Sequence, residues 1–269
     1  MTFLYSIPAG LLLLLALALA ITLVACGQVM VHRRFRAHEF ITHNEVGGVI
    51  ISVCGALYAV MLGFLTVVAW EHYQDARQLV VQESDADIDA WHTSVGLPDA
   101  VRRRVRADML QYAQVMVDKE WPSMRRGGFE EQAAIIVMDA IDVAATFEPA
   151  GHMQSNAQDA TLLQLTTMHD ARQQRIAINQ SGVSGFEWAV LIIGAVCIIC
   201  FCWLFGVRHA PMHMLMTSTV VTIIVSILVL LFELQYPFRS DVGIGPGAWK
   251  GALAHIGEMQ KGEMAGMRM

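Results

Sequence analysis

The sequence predicts an all-α membrane protein: four transmembrane helices in two pairs, with a helical water-facing domain inserted between spans two and three. Two observations carry this. Four long apolar stretches run from Ile7 to Val31, Val46 to Trp70, Phe186 to Val207 and Met212 to Leu234, free of Asp, Glu, Lys and Arg except for Glu187 and Glu233 near their ends. Each exceeds or matches the ~20 residues that a helix needs to cross a bilayer. Between the pairs lies an acidic block, Glu71 to Gly185, with 10 basic against 17 acidic residues.

Composition agrees. Hydrophobic residues make up 55% of the 269-residue chain and charged residues 16%, against roughly 25% charged in a soluble domain. The formal net charge of −6 disfavours nucleic acid, whose phosphates call for a basic surface. All five cysteines (Cys26, Cys54, Cys197, Cys200, Cys202) fall in the apolar stretches, where they act as small hydrophobes and say nothing of redox compartment. The chain is therefore divided at 1–70 (first transmembrane pair), 71–185 (helical extramembrane domain), 186–236 (second pair) and 237–269 (C-terminal tail).

The first span is read as an uncleaved anchor. Met1 to Ser6 carries no Lys or Arg, and the apolar run outlasts the h-region of a signal peptide. Arg33, Arg34 and Arg36 follow span one, and Arg208 follows span three. The positive-inside rule places both connections in the cytoplasm, with the N-terminus and the large domain outside. The expected location is a bacterial inner membrane, with the lipid bilayer as the first partner.

Span two holds a stripe of small residues: Gly48, Ser52, Gly55, Ala59, Gly63 and Thr66, spaced along one helical face. Small residues let helices approach closely in lipid. The stripe either packs the four spans of one chain or meets other copies around an axis and lines a conduit. No Gly or Pro occurs from Phe64 to Val95, so span two is predicted to continue into water as one helix of roughly 75 Å, with an apolar seam at Trp70, Tyr73, Val80, Ile88 and Trp91. Three more wet helices follow. Asp99 to Trp121 ends at Pro122 and the Gly127-Gly128 pair. Phe129 to Phe147 is the next, and Ser155 with Gln158 has the spacing of a capping box opening a helix to about Gln180. Ser181 to Gly185 reads as a hinge-like break, and the glycines after Pro237 argue against a helix in the tail.

Several of these residues carry a family resemblance: Asn44-Glu45, the run from Gly55 through Tyr58 to Phe64, Trp70-Glu71, Ala76, Tyr112, Glu120-Trp121-Pro122, Arg172 to Arg175, and Pro237-Phe238. Together they resemble the bestrophin-like domain family, over nearly the whole chain. Bestrophins are pentameric anion channels whose second span lines the pore. The resemblance thus implies an oligomeric ion channel with span two on the axis. Tyr58, Leu62 and Phe64 are then candidates for a hydrophobic constriction that gates by dewetting. It also implies the opposite orientation, since bestrophins keep their helical extension in the cytosol; the charges of this chain are given precedence. The competing class is a membrane-anchored sensory or interaction protein whose helical domain binds a partner or ligand without conduction.

Further candidates are weighed on residue chemistry. Glu71 and His72 sit just past the stripe and could form a charged ring in a symmetric oligomer, and Glu233 is a carboxylate at the wet end of span four. Glu83, Asp85, Asp87 and Asp89 offer oxygens to a hard cation, although 83 and 87 share one helical face and 85 and 89 another; a solvated face is the plainer reading. Cys197, Cys200 and Cys202 with Met212, His213, Met214 and Met216 resemble a soft-metal set but are ordinary apolar fillers in a membrane helix, so no metal is assigned. His209 and His213, at a span boundary, are read as solvated interfacial groups. No nucleophile elbow, phosphate loop or HExxH motif occurs, so the chain is read as a non-enzyme without a cofactor, its partners being lipid, ions and further copies of itself.

Overall fold

The computed structural model describes residues 4–34, 44–207 and 209–266, the last four by backbone alone. Arg36, Arg208 and Arg268, which bear on the charge distribution, lie outside the described residues. Nine α-helices are present among those described, and no strand. They are α1 (Ala9–Arg34), α2 (Asn44–Thr93), α3 (Asp99–Val115), α4 (Trp121–Arg125), α5 (Glu131–Thr146), α6 (His152–Gln180), α7 (Gly185–Trp203), α8 (Ala210–Leu234) and α9 (Gly247–Gly266). Four of them, α1, α2, α7 and α8, are long and apolar enough to cross a membrane.

The chain forms two compact units. The first comprises Met1–His72, Gly182–Gln235 and Ser240–Val242. Here α1 lies along α8, and α7 packs against both. Their common end is tied by polar groups. Tyr5 stacks on Phe232 at 4.4 Å and donates its hydroxyl to the Phe232 carbonyl at 2.8 Å. Gln235 donates to the Tyr5 hydroxyl (2.9 Å) and accepts from Trp188 Nε1 (3.0 Å). Asp241 accepts from the Ala9 amide at 3.0 Å, satisfying a free donor at the positive end of α1. At the other end, the Asn44 amide bonds the Gly206 backbone in both directions, at 2.8 and 3.0 Å.

The second unit comprises Tyr73–Ser181, Tyr236–Arg239 and Gly243–Met269. Its core gathers Val80, Trp91, Val105, Met109, Tyr112, Met116, Trp121, Val137, Leu165, Met168, Phe238, Trp249 and Ile256. The helix predicted to stop at Pro122 instead runs to Arg125. Proline has no N–H and crowds the carbonyl four residues back. A π turn over Met116–Glu120, closed by the Trp121 amide on the Met116 carbonyl, absorbs that misfit. The true stop is Gly127. Its φ of +83° suits a residue without Cβ, and Gly127 and Gly128 amides close on the Met124 and Ser123 carbonyls in a Schellman arrangement.

Three further expectations change. Gln158 makes no capping box; α6 starts at His152, and the Gln158 side chain donates to the Ala144 and Phe147 carbonyls at the end of α5. A capping box is found at Ser184 with Glu187, opening α7 within the predicted break, Ser181 to Gly185. The tail also forms a helix, α9, despite its glycines, because Trp249, Ala252 and Ile256 are buried. Tertiary packing outweighs poor propensity there.

Candidate functional site

The membrane half of α2 presents three faces. Tyr58, Leu62 and Ala69 are buried; Tyr58 lies against α7, where a Cβ on Gly194 would come within 2.6 Å of the tyrosine ring. A second face exposes Val46, Val49, Val53, Leu57, Val60, Phe64 and Val67, each more than half exposed. The small-residue stripe forms the third. A Cβ built on Gly48, Gly55 or Gly63 would meet nothing within 4 Å, and Ser52 and Thr66 turn their hydroxyls back onto the Gly48 and Leu62 carbonyls. Gly27 and Gly194, in other spans, behave differently, whereas Gly10 near the start of α1 is as open as the stripe. A Cβ on Gly27 would strike the Trp203 ring at 2.4 Å. Gly27 and Gly194 thus serve packing inside the chain, whereas among the described residues nothing fills the space beside Gly48, Gly55 and Gly63. Tyr58 and Leu62, expected on the axis, are turned into their own chain; Phe64 points outward. Glu71 and His72 are exposed, and Glu233 is buried at the end of α8.

The acidic run divides by helical face. Asp85 and Asp89 are exposed, while Glu83 and Asp87 are wholly buried. The buried face of the wet half includes Ala76, Val80, Glu83, Asp87, Ala90 and Trp91; of the expected apolar seam, Val80 and Trp91 are buried and Ile88 packs against the same core, while Trp70 is 51% exposed. Glu83 is occupied. Arg175 on α6 grips it with Nε at 2.6 Å and Nη2 at 3.1 Å, and the Tyr112 hydroxyl donates at 2.5 Å. Arg175 Nη2 also reaches Glu120 at 3.3 Å. Glu120 in turn pairs with Arg172 at 3.2 Å and accepts the Glu130 amide at 2.7 Å. The Arg175 guanidinium stands 5.5 Å from the Trp121 ring centre and contacts Met124 Sδ. Trp121 stacks edge-on against Phe238 and donates to the Ile244 carbonyl.

Burial, the largest single influence, would lower the Arg175 pKa, but Glu83, Tyr112 and Glu120 together outweigh it and the value is raised. Burial, with Glu83 beside it, pushes the Tyr112 hydroxyl well up. Asp87 has neither oxygen hydrogen-bonded; burial first, and the Glu83 charge second, hold its carboxyl well above the usual range. The four acidic residues therefore form no common cage. Among the described residues, no three His, Cys, Asp or Glu side chains gather as a metal site. The soft set does not converge either: Cys197 and Cys200 are exposed, and His213 is buried with Nε2 at 3.0 Å from the Cys202 carbonyl oxygen.

The charge cluster went unread in the sequence. Its one signal was Glu83 and Asp87 falling in register with Ala76, Val80 and Ala90, paired with arginines one turn apart at 172 and 175.

A four-helix membrane section joined to a helical unit built on buried Arg–Glu pairs defines an all-α integral membrane protein. The chain belongs to the family described as Bestrophin-like domain, whose model matches residues 18–249. No curated protein matches it. A variant of a bacterial bestrophin homologue from Klebsiella pneumoniae has the same fold, with a TM-score of 0.69 at 13% identity over 92% of this chain and 98% of that one. The homologue from that organism phased on zinc gives 0.67 at 14% identity, over 91% and 97%. A variant of a structure described only as a membrane protein gives 0.69 at 12%, over 90% and 98%.

Asp87 yields a pH-dependent outcome. An acid whose folded pKa is raised contributes stability that is fully present below its unfolded pKa of about 3.9 and is lost as pH rises through the folded value. Asp87→Asn removes that loss. The variant is expected to melt higher than the parent at pH 8, with the gap closing toward pH 4. Thermal unfolding at both pH values measures this, and an equal loss at both would contradict a neutral Asp87.

Proposed function

We propose that the protein is an oligomeric ion channel in which α2 of each copy stands around the axis. The observation that carries this is the open space at Gly48, Gly55 and Gly63. In lipid, a face of small residues gains energy by close helix approach, and among the described residues no atom of the chain fills the space at these three glycines. Family membership and the shared fold with bacterial bestrophin homologues support the same reading. Gly48, Ser52, Gly55, Ala59, Gly63 and Thr66 form the face toward other copies, and Phe64 is the aromatic free to narrow the conduit. Tyr58 and Leu62 hold α2 to its own chain. Glu71 and His72, both exposed, are placed as boundary charges.

One observation favours the second class, an anchored interaction protein. A half-open groove of about 890 Å³ is lined by Trp91, Arg102, Arg103, Arg106, Leu110 and Gln260, among others, and its three arginines suit an acidic partner.

The channel reading is tested with purified protein in planar bilayers. Gly55→Leu is expected to leave the helical content of the chain unchanged, since its side chain meets open space within one copy, yet to disturb the contact between copies and cut the current at least tenfold. Unaltered current in that variant, or a silent parent across salt, pH and calcium, contradicts the reading.

For orientation we propose the N-terminus and the large helical unit outside the cytoplasm, on the charges of Arg33, Arg34, Arg36 and Arg208. In a cysteine-free background, Met153→Cys, at a position 77% exposed, should react with an impermeant maleimide on spheroplasts. His38→Cys should react only after lysis. The reverse pattern inverts the assignment.

A further inference from the structure

The last turn of α2 and the middle of α9 bring two imidazoles together. The His92 and His255 ring centres lie 6.0 Å apart, tilted by 53°, and both side chains are exposed. Incidental ring contact is the plain explanation, but three features go beyond it. Zn–N bonds are about 2.0–2.1 Å, so two imidazoles on one tetrahedral ion have their ring centres roughly 5 Å apart. The observed separation is within a side-chain rotation of that. Asp89, one turn before His92, and Glu258, one turn after His255, are exposed as well and add negative charge beside the pair.

The third feature is α9 itself. A Cβ on Gly251, Gly257 or Gly262 would meet nothing within 4 Å. These glycines answer no packing need, and each weakens the helix by about 1 kcal/mol relative to alanine. The helix is fixed to the core by Trp249, Ala252 and Ile256, all in its first half, and the turns from Gly257 onward lack such an anchor and open more readily. A ligand bridging α9 to α2 binds only the docked state and shifts that equilibrium by mass action.

We propose that His92 and His255 form a two-histidine clasp for a divalent transition-metal ion of the zinc type, which pins α9 to the end of α2. Because no third His, Cys, Asp or Glu joins them among the described residues, water completes the coordination. The site is exchangeable and regulatory rather than structural. It does not rest on the channel reading.

The test uses the full chain in detergent, with ZnCl2 as probe. Calorimetry should give one Zn2+ per chain. At a tenfold excess over Kd, hydrogen exchange of α9 amides should slow about tenfold relative to EDTA. Both effects should vanish in His92→Ala and in His255→Ala, while their melting temperatures in EDTA stay at the parental value. Absence of α9 protection up to millimolar Zn2+, or protection that survives in His255→Ala, overturns the proposal.

Discussion

The pairing of Arg175 with Glu83 and Glu120 is the constraint on which the helical unit depends. A guanidinium buried without partners is intolerable; removing one member of such a pair costs about 3–5 kcal/mol, a large share of a typical domain's stability. The three groups come from α2, the π turn and α6. Arg172 adds a second contact to Glu120, and Tyr112 adds α3 through its bond to Glu83. Each of these elements is positioned by a requirement to complete the same charge balance. The π turn, forced by Pro122, sits where it carries Glu120 into the core. Hydrophobic packing alone would tolerate a slipped helix better than this set of directional bonds does.

The membrane section follows a different logic. Gly27 and Gly194 are filled by aromatic rings of the same chain, whereas Gly48, Gly55 and Gly63 face open space along one face of α2, as Gly10 and Gly185 do singly at helix starts. Lipid-facing helix surface gains nothing from glycine, which lowers helix stability. A run of open glycines in a span suits the close helix approach proposed for neighbouring copies. This separates the stripe from the long apolar side chains that α1, α7 and α8 also expose, which suit lipid.

Much of this was legible in the sequence. The four spans could be read from length and hydropathy, and the continuous α2 from the absence of Gly and Pro. What stayed hidden depended on contacts between segments distant in the chain. Glu83 looked like a solvent-facing carboxylate because its partners lie on α6 and α3, and Asp87 because the core that covers it comes from other parts of the chain. Pro122 looked like a stop because the compensating π turn leaves no mark in composition. The glycine-rich tail looked unstructured because its helix is held by three buried side chains rather than by propensity. Conversely, six of the residues that carried the family resemblance, Tyr112, Glu120, Trp121, Arg172, Arg175 and Phe238, converge on one buried cluster. They are the marks of a fold being held together.

The most direct test asks whether the open stripe of α2 meets its counterpart on other copies. A single cysteine at Ala59 in a cysteine-free background, oxidised in native membranes, should give a disulfide-linked dimer of the chain. Cysteine at Leu62, buried inside the chain, should give none. Monomer alone from Ala59→Cys, or equal cross-linking at both positions, would contradict an intermolecular role for the stripe.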